Sequence, residues 1–278
     1  EALQPSNVER HRGKPLRKRW RQNQKKPHVN HVNVNSIMII DLENNTYQIE
    51  YKRQFTPHIV LSQDIIQTCF NFANQMTFAR MGEHRDHRTG GNHRRKRMEI
   101  FADTFQGKIA EFGFYEFYKD RCDITEPDMS VLGLGEWDSA DFSVNGVQVA
   151  VKSTKRFGNL LLLEAQDWDE DGNYIPNRGI GNEMYHFIFL VRVSSSCSDI
   201  LKQNRLLYSD SLDEENVYGL ITDETWSVEI TGYITHNEFV NDVIGTNQII
   251  PRNAKLNGST IMDADNYYVE AGNLHFIE

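Results

Sequence analysis

The chain has 278 residues, 39% of them hydrophobic and 11% aromatic, enough apolar material for a sizeable core, which excludes a globally disordered chain or a string of three domains. No apolar run approaches the length of about 18 residues that a membrane helix needs, and the N-terminal stretch is polar and basic where a secretory signal would be apolar, so a cytoplasmic protein without membrane contact is expected. The net charge of −9 conceals a division: residues 1–97 carry 18 Lys and Arg against 8 Asp and Glu, whereas residues 98–278 carry 12 against 31, and the basic third invites a polyanion because phosphate affinity follows local Lys/Arg density.

Residues 1–30 read as a basic N-terminal arm: nine Lys and Arg and three prolines precede position 29, with no helical or strand period. The remainder, 31–278, reads as one domain. Residues 32–40 and 46–51 predict a strand hairpin around Glu43-Asn44-Asn45. Ser62 can cap a helix carrying Ile65, Ile66, Cys69, Phe70, Phe72 and Ala73 at helical spacing. Residues 80–97 hold seven basic side chains, three histidines and a Gly-Gly pair, and cannot build a core, so a loop is expected. A long amphipathic helix follows, mostly over 104–118. Alternating strands on either side of Asn145-Gly146 predict a tight hairpin over 141–151. Strands are expected at 160–164, 185–193 and 227–234, an acidic loop at 167–177, and a short helix at 237–244. Trp137, Trp168 and Trp226 are expected to pack in the interior.

Chemistry concentrates in the hairpin. Asp141 opens one strand, the chain reverses at Asn145-Gly146, and Lys152 lies on the returning strand. Adjacent strands lie about 5 Å apart, so cross-strand pairing brings Asp141 near residues 150–152, and alternation puts positions 150 and 152 on one face with Val151 on the other. A carboxylate beside a lysine suits phosphodiester hydrolysis. The carboxylate can hold Mg²⁺, a hard cation that prefers oxygen, and the lysine can orient water and offset charge on the phosphate.

Asp141, ten intervening residues and Lys152 resemble the motif of PD-(D/E)XK nucleases. Phe105-Gln-Gly-Lys-Ile-Ala-Glu111 resembles the helix that precedes it in type II restriction endonucleases, and the segments starting at Gly82 and Val151 resemble others of those enzymes. The resemblance spans roughly residues 70–195. It implies an α/β (α+β) fold with a restriction-endonuclease-like central mixed sheet, mostly antiparallel and flanked by helices. It also implies Mg²⁺-dependent, site-specific cleavage of double-stranded DNA leaving 5′-phosphates, by a homodimer matched to a palindromic site. Asp141 and Glu111 would bind metal, and Lys152 would position water.

One position departs from the pattern. Where the family has Asp or Glu as second metal ligand, two residues before the lysine, this chain has Ala150, which offers no oxygen. A substitution that disabled cleavage, a replacement carboxylate at Glu111, Asp138 or Glu164, or a naturally non-catalytic DNA-binding protein would each account for it. Another PD-(D/E)XK nuclease, of repair or modification-dependent type, is a further alternative. His84, His87 and His93 have a spacing that admits zinc, but no cysteine is near, and the neighbouring Arg85, Arg88, Arg94, Arg95 and Arg97 point instead to DNA phosphates or guanine edges. Lys155, Arg156 and Asn159, just beyond the catalytic strand, are expected on the DNA side as well. Cys69, Cys122 and Cys197 are far apart, without a CxxC pair, so neither a disulfide framework nor a Cys-rich zinc site is expected.

Overall fold

The computed structural model describes residues 38–50, 52–78, 94–130, 141–179, 181 and 183–277. The basic arm at 1–30, most of the basic loop and Trp137 lie outside these residues. The first hairpin forms as strands β1 (Met38–Asp41) and β2 (Thr46–Ile49), turning at Asn45, whose φ is 50°. After β3 (Ile59–Val60), helix α1 (Gln63–Thr77) starts at Ser62, whose hydroxyl accepts from Ile65 N at 3.4 Å.

Helix α2 (Arg97–Tyr118) is longer than its expected core at 104–118. Met98, Phe101, Ala102 and Phe105 bury its first turns. Its start is pinned by acidic groups: Glu99 accepts from Lys96 N at 2.8 Å, and Asp210 accepts from Arg97 N at 3.2 Å. Arg97 is thus a helix residue, not part of a loop.

Strands β4 (Phe142–Val144) and β5 (Val147–Lys155) form the second hairpin. Asn145 and Gly146 have φ of 50° and 76°, the positive angles a two-residue hairpin turn needs. Then come β6 (Leu160–Glu164), β7 (Phe187–Ser194), α3 (Cys197–Gln203), α4 (Glu214–Thr222) and β8 (Ser227–Thr235). Helix α5 (His236–Glu238) runs into a wider π-helical turn, Phe239–Ile244. Strands β9 (Ile249–Ile250), β10 (Lys255–Leu256), β11 (Thr260–Ile261) and β12 (Asn266–Glu270) end the chain.

The central sheet is mixed, in the order β3-β8-β7-β5-β4. Only β5 and β7 pair in parallel, and the other three pairs are antiparallel. Its two faces have different covers. Val149, Val151, Phe187, Phe189, Val191 and Val228 meet helices α1 to α4 in the larger core. On the opposite face Ala150, Ile188, Leu190 and Ile234 meet Leu161 and Leu163 of β6, Val269 of β12, and Phe239 and Val243. Helices therefore cover one face as expected, but the second is covered by a three-stranded sheet, β6-β12-β9, and one short helical segment. A further sheet, β1-β2-β10-β11, joins the first hairpin to the C-terminal part.

Strand β7 is buried along nearly its whole length because both faces are covered. A bulge in β8 opposite Leu190/Val191 resets its alternation: Ile234 pairs with Ile188, whereas Ile230 pairs with Val191 and faces the helices. Among the described residues no helix is long and apolar enough to cross a membrane.

Candidate active site

The β4–β5 register is Phe142 opposite Val149, and continuing it one step sets Asp141 opposite Ala150. The Asp141 carboxylate accepts from Val151 N at 2.6 Å, which fastens it to the returning strand. Alternation holds as expected: Ala150 packs with Leu161 and Leu163, while its neighbour Val151 packs with the helices.

Lys152 emerges two residues beyond Ala150. Its ammonium lies 5.1 Å from the centre of the Tyr174 ring. Burial works against its charge, but Tyr174 and the carboxylates of Asp141, Asp167 and Glu111 outweigh it and hold the pKa above the usual lysine value. The hairpin and α2 thus bring Asp141 and Glu111 within electrostatic range of Lys152.

Glu111 sits on the same side of α2 as Lys108, one turn before it. The Lys108 ammonium is 2.6 Å from Glu111, donates to the Asp128 carbonyl at 2.6 Å, and lies 4.6 Å from the centre of the Phe72 ring. Lys108 is 7% exposed, so this contact fixes Glu111 through a buried cation.

Two members of the site were not anticipated. Asp167 closes a 3₁₀ turn, Ala165–Asp167, directly after β6. Tyr174 comes from the loop beyond it. Asp169 shapes that loop by accepting from Asn173 N at 2.8 Å, Asp171 N at 3.1 Å and Arg178 at 2.7 Å. Burial of Asp169 is outweighed by these bonds, and its pKa is lowered. The available signal was a run of Asp, Gly and Asn, which marks a turn but not where the turn is aimed.

Among the described residues no three His, Cys, Asp or Glu side chains are grouped to hold a metal ion. Asp141 and Glu111 offer carboxylates, but the fully buried methyl of Ala150 stands where a third is expected. Among the described residues, the side chains present do not complete a Mg²⁺ site. Asp138 lies outside the described residues. Glu164, at the end of β6, shares with Lys152 a groove of about 730 Å³ that Arg95, Gln106 and Lys155 also line.

The expected DNA-side residues divide. Arg85 and Arg88 lie outside the described residues, as do the three histidines of that loop. Arg94 and Arg97 are exposed. Arg95 is bonded to Asp103 at 3.0 Å, and Lys155 to Asp199 at 2.6 Å. Arg156 is exposed, stacked 4.6 Å from the Phe157 ring centre. Asn159 departs from its expected place. It is 5% exposed, and its side chain accepts from Arg53 N at 2.8 Å and donates to the Phe157 carbonyl at 2.9 Å, so it braces the loop from inside. The cysteines are unsuited to nucleophilic work: burial raises the thiol pKa of Cys69 and Cys197, and pushes that of Cys122 up to about 11. Compared with family models, curated proteins and solved structures, the chain has no significant match.

Proposed function

We propose that the chain is a PD-(D/E)XK nuclease of the type II restriction class, acting on double-stranded DNA, in which Ala150 disables cleavage. The observation that carries this is the hairpin register: Asp141 stands opposite position 150, and Lys152 follows on the same face within the field of Asp141 and Glu111. A raised lysine pKa keeps the ammonium charged at neutral pH, where it can bind a phosphate oxygen and orient an attacking water. The Tyr174 ring lies beside the ammonium, 5.1 Å away. A homodimer on a palindromic site, 5′-phosphate products and Mg²⁺ dependence once position 150 carries a carboxylate belong to the same proposal.

A second reading is a non-catalytic, sequence-specific DNA-binding protein. It is favoured by Ala150 itself, which is fully buried among leucines and isoleucines and is accommodated without a gap-filling acid. Plasmid digestion in Mg²⁺ separates the two, with the chain compared against Ala150→Glu and Ala150→Asp. Discrete fragments from a restored variant alone support the disabled nuclease. Fragments from the chain as it stands mean that another carboxylate, Glu164 or Asp167 first, completes the site. No cleavage by any of them, with duplex binding retained, supports the non-catalytic reading.

A further inference from the structure

Beyond β5 the chain turns sharply through Lys155-Arg156-Phe157-Gly158, and the tip carries a large exposed aromatic: Phe157 is 76% exposed. Exposed phenylalanines usually sit on mobile loops, but this one is held from beneath at successive backbone positions. Gly158 N donates to the Lys155 carbonyl at 2.7 Å, Arg192 donates to the Arg156 carbonyl at 3.4 Å, and Asn159 donates to the Phe157 carbonyl at 2.9 Å. Arg192 and Asn159 are both buried. A Cβ at Gly158 would run into the Thr154 side chain, its Cγ2 at 2.7 Å, so the turn also requires glycine for close packing. With both carbonyls pulled inward, the Arg156 and Phe157 side chains have only the outside to occupy.

The Arg156 guanidinium stacks on the Phe157 ring at 4.6 Å, and a second such pair adjoins it. Arg53 lies 4.6 Å from the centre of the Phe276 ring, which is 57% exposed, and Arg192 also donates to the Arg53 carbonyl at 2.8 Å. Two exposed rings joined through one buried arginine, with the exposed Arg156 supplying the charge while Arg53 is engaged by the Thr231 carbonyl at 2.7 Å and by Glu229 at 3.6 Å, match a partner that offers flat faces and negative charge together. Nucleic acid does.

We propose that Phe157, with Arg156 beside it, is a preorganised wedge that inserts at a base step of duplex DNA. It rests on the DNA-binding reading above and adds to it a defined contact. Phe157 is five residues beyond Lys152, at most about 16 Å along the strand direction, so the wedge acts within about five base pairs of the phosphate at Lys152.

The test is fluorescence anisotropy with a labelled, mixed-sequence DNA duplex, using the full chain, Phe157→Ala, Phe157→Trp and Arg156→Ala. Thermal melting confirms that each variant is folded, as substitution of so exposed a ring predicts. Phe157→Ala is expected to bind about tenfold more weakly with an unchanged salt dependence, because stacking carries no counterion release. Arg156→Ala is expected to flatten the salt dependence, and duplex is expected to quench the indole emission that Phe157→Trp adds. Duplex binding by Phe157→Ala equal to that of the full chain, or added emission in Phe157→Trp that is indifferent to duplex, overturns the wedge while leaving the nuclease reading intact. Quenching by phosphatidylserine vesicles instead of duplex also overturns it. A full chain that does not bind duplex overturns both.

Discussion

On the proposed reading, replacing Ala150 with Glu should give the protein a stabilisation by Mg²⁺ that exceeds any shown by the parent. Ala150 is fully buried, so the longer side chain has a steric cost of about 1–3 kcal/mol. The new carboxylate would also face Asp141 across the hairpin. At about 5 Å and an effective dielectric of about 20, that repulsion is about 3 kcal/mol, and attraction to Lys152 at roughly 6–7 Å returns about 2.5 kcal/mol. Without metal the variant should therefore melt below the parent, chiefly for steric reasons. With Mg²⁺ at about 100 times its dissociation constant, binding to the folded state alone adds about 2.7 kcal/mol. For a chain of this size that is a rise of roughly 5 °C in Tm.

The assay is thermal denaturation with and without Mg²⁺ for the parent, Ala150→Glu and Ala150→Gln. Gln has the volume of Glu without its charge, so it shares the steric loss and should show no metal response. Adding Asp141→Asn to the Glu variant should abolish the rise. An equal rise in the Gln variant would place the metal elsewhere. No rise in the Glu variant would refute the claim that position 150 completes a metal site with Asp141 and Glu111.

Three further outcomes follow from the packing. Gly113 lets α2 lie against β8, and a Cβ there would be 2.5 Å from Val228 Cγ2, so Gly113→Ala should lose about 2–3 kcal/mol in urea unfolding and recover part of it with Val228→Ala; an undiminished urea midpoint would refute the close approach. Arg192 and Glu229 pair at 2.6 Å with both side chains fully buried, so Arg192→Met should lose about 3–5 kcal/mol, and more than Glu229→Gln, which can still accept from Thr56 N; the reverse order would count against the buried-charge argument. His275 and Glu238 meet at 2.6 Å, which raises the pKa of His275, while burial of Glu238 is outweighed by its bonds to His275 and Thr235 and its pKa falls. The histidine's contribution is complete below its unfolded value of about 6.5 and is lost as pH rises through the higher folded value. The glutamate's is present above about 4.3 and lost as pH falls through its lower folded value. NMR titration should find His275 above its ordinary value and returned towards it by Glu238→Gln; a pKa at or below the ordinary value would refute the pairing.

What could be read from sequence was local. Asn145-Gly146 between alternating strands determined the hairpin and, through it, the approach of Asp141 to position 150. Strand β6 was legible as an apolar run, and α1 from Ser62 and its periodic apolar face. The longer α2 is partly hidden, because a basic run leads straight into its first residue and the start is held by Asp210 from a distant loop. Strands β3, β9, β10 and β11 have two residues each and no period to detect. Helices α3 and α4 are short and half polar, and went unread. The pairing of β2 with β10 joins Thr46 to Lys255, a contact that no local pattern signals. The bulge in β8 reverses which residues face the helices, so strict alternation would have misplaced either Ile230 or Ile234. Asn159 lies close to Lys155 in sequence, yet its amide oxygen accepts from Arg53 N on a segment more than a hundred residues earlier, a contact that no local pattern signals.

Asp167 and Tyr174 bear on the meaning of Ala150. Around Lys152 stand the carboxylates of Asp141, Asp167 and Glu111, with Lys108 as a second cation bound to Glu111. With alanine at 150, three negative and two positive groups leave a local balance of −1, which a partly buried site can carry without a metal. A glutamate at 150 would make the balance −2, the charge that a divalent ion cancels. The site as it stands therefore needs no ion to balance it, whereas an acid at 150 adds one unit of negative charge that Lys152 offsets only in part and that a divalent ion would neutralise. On the nuclease reading a carboxylate at 150 has two separable expected consequences, stabilisation of the folded state by Mg²⁺ and a hydrolytic activity, and the first can be measured even if the second never appears.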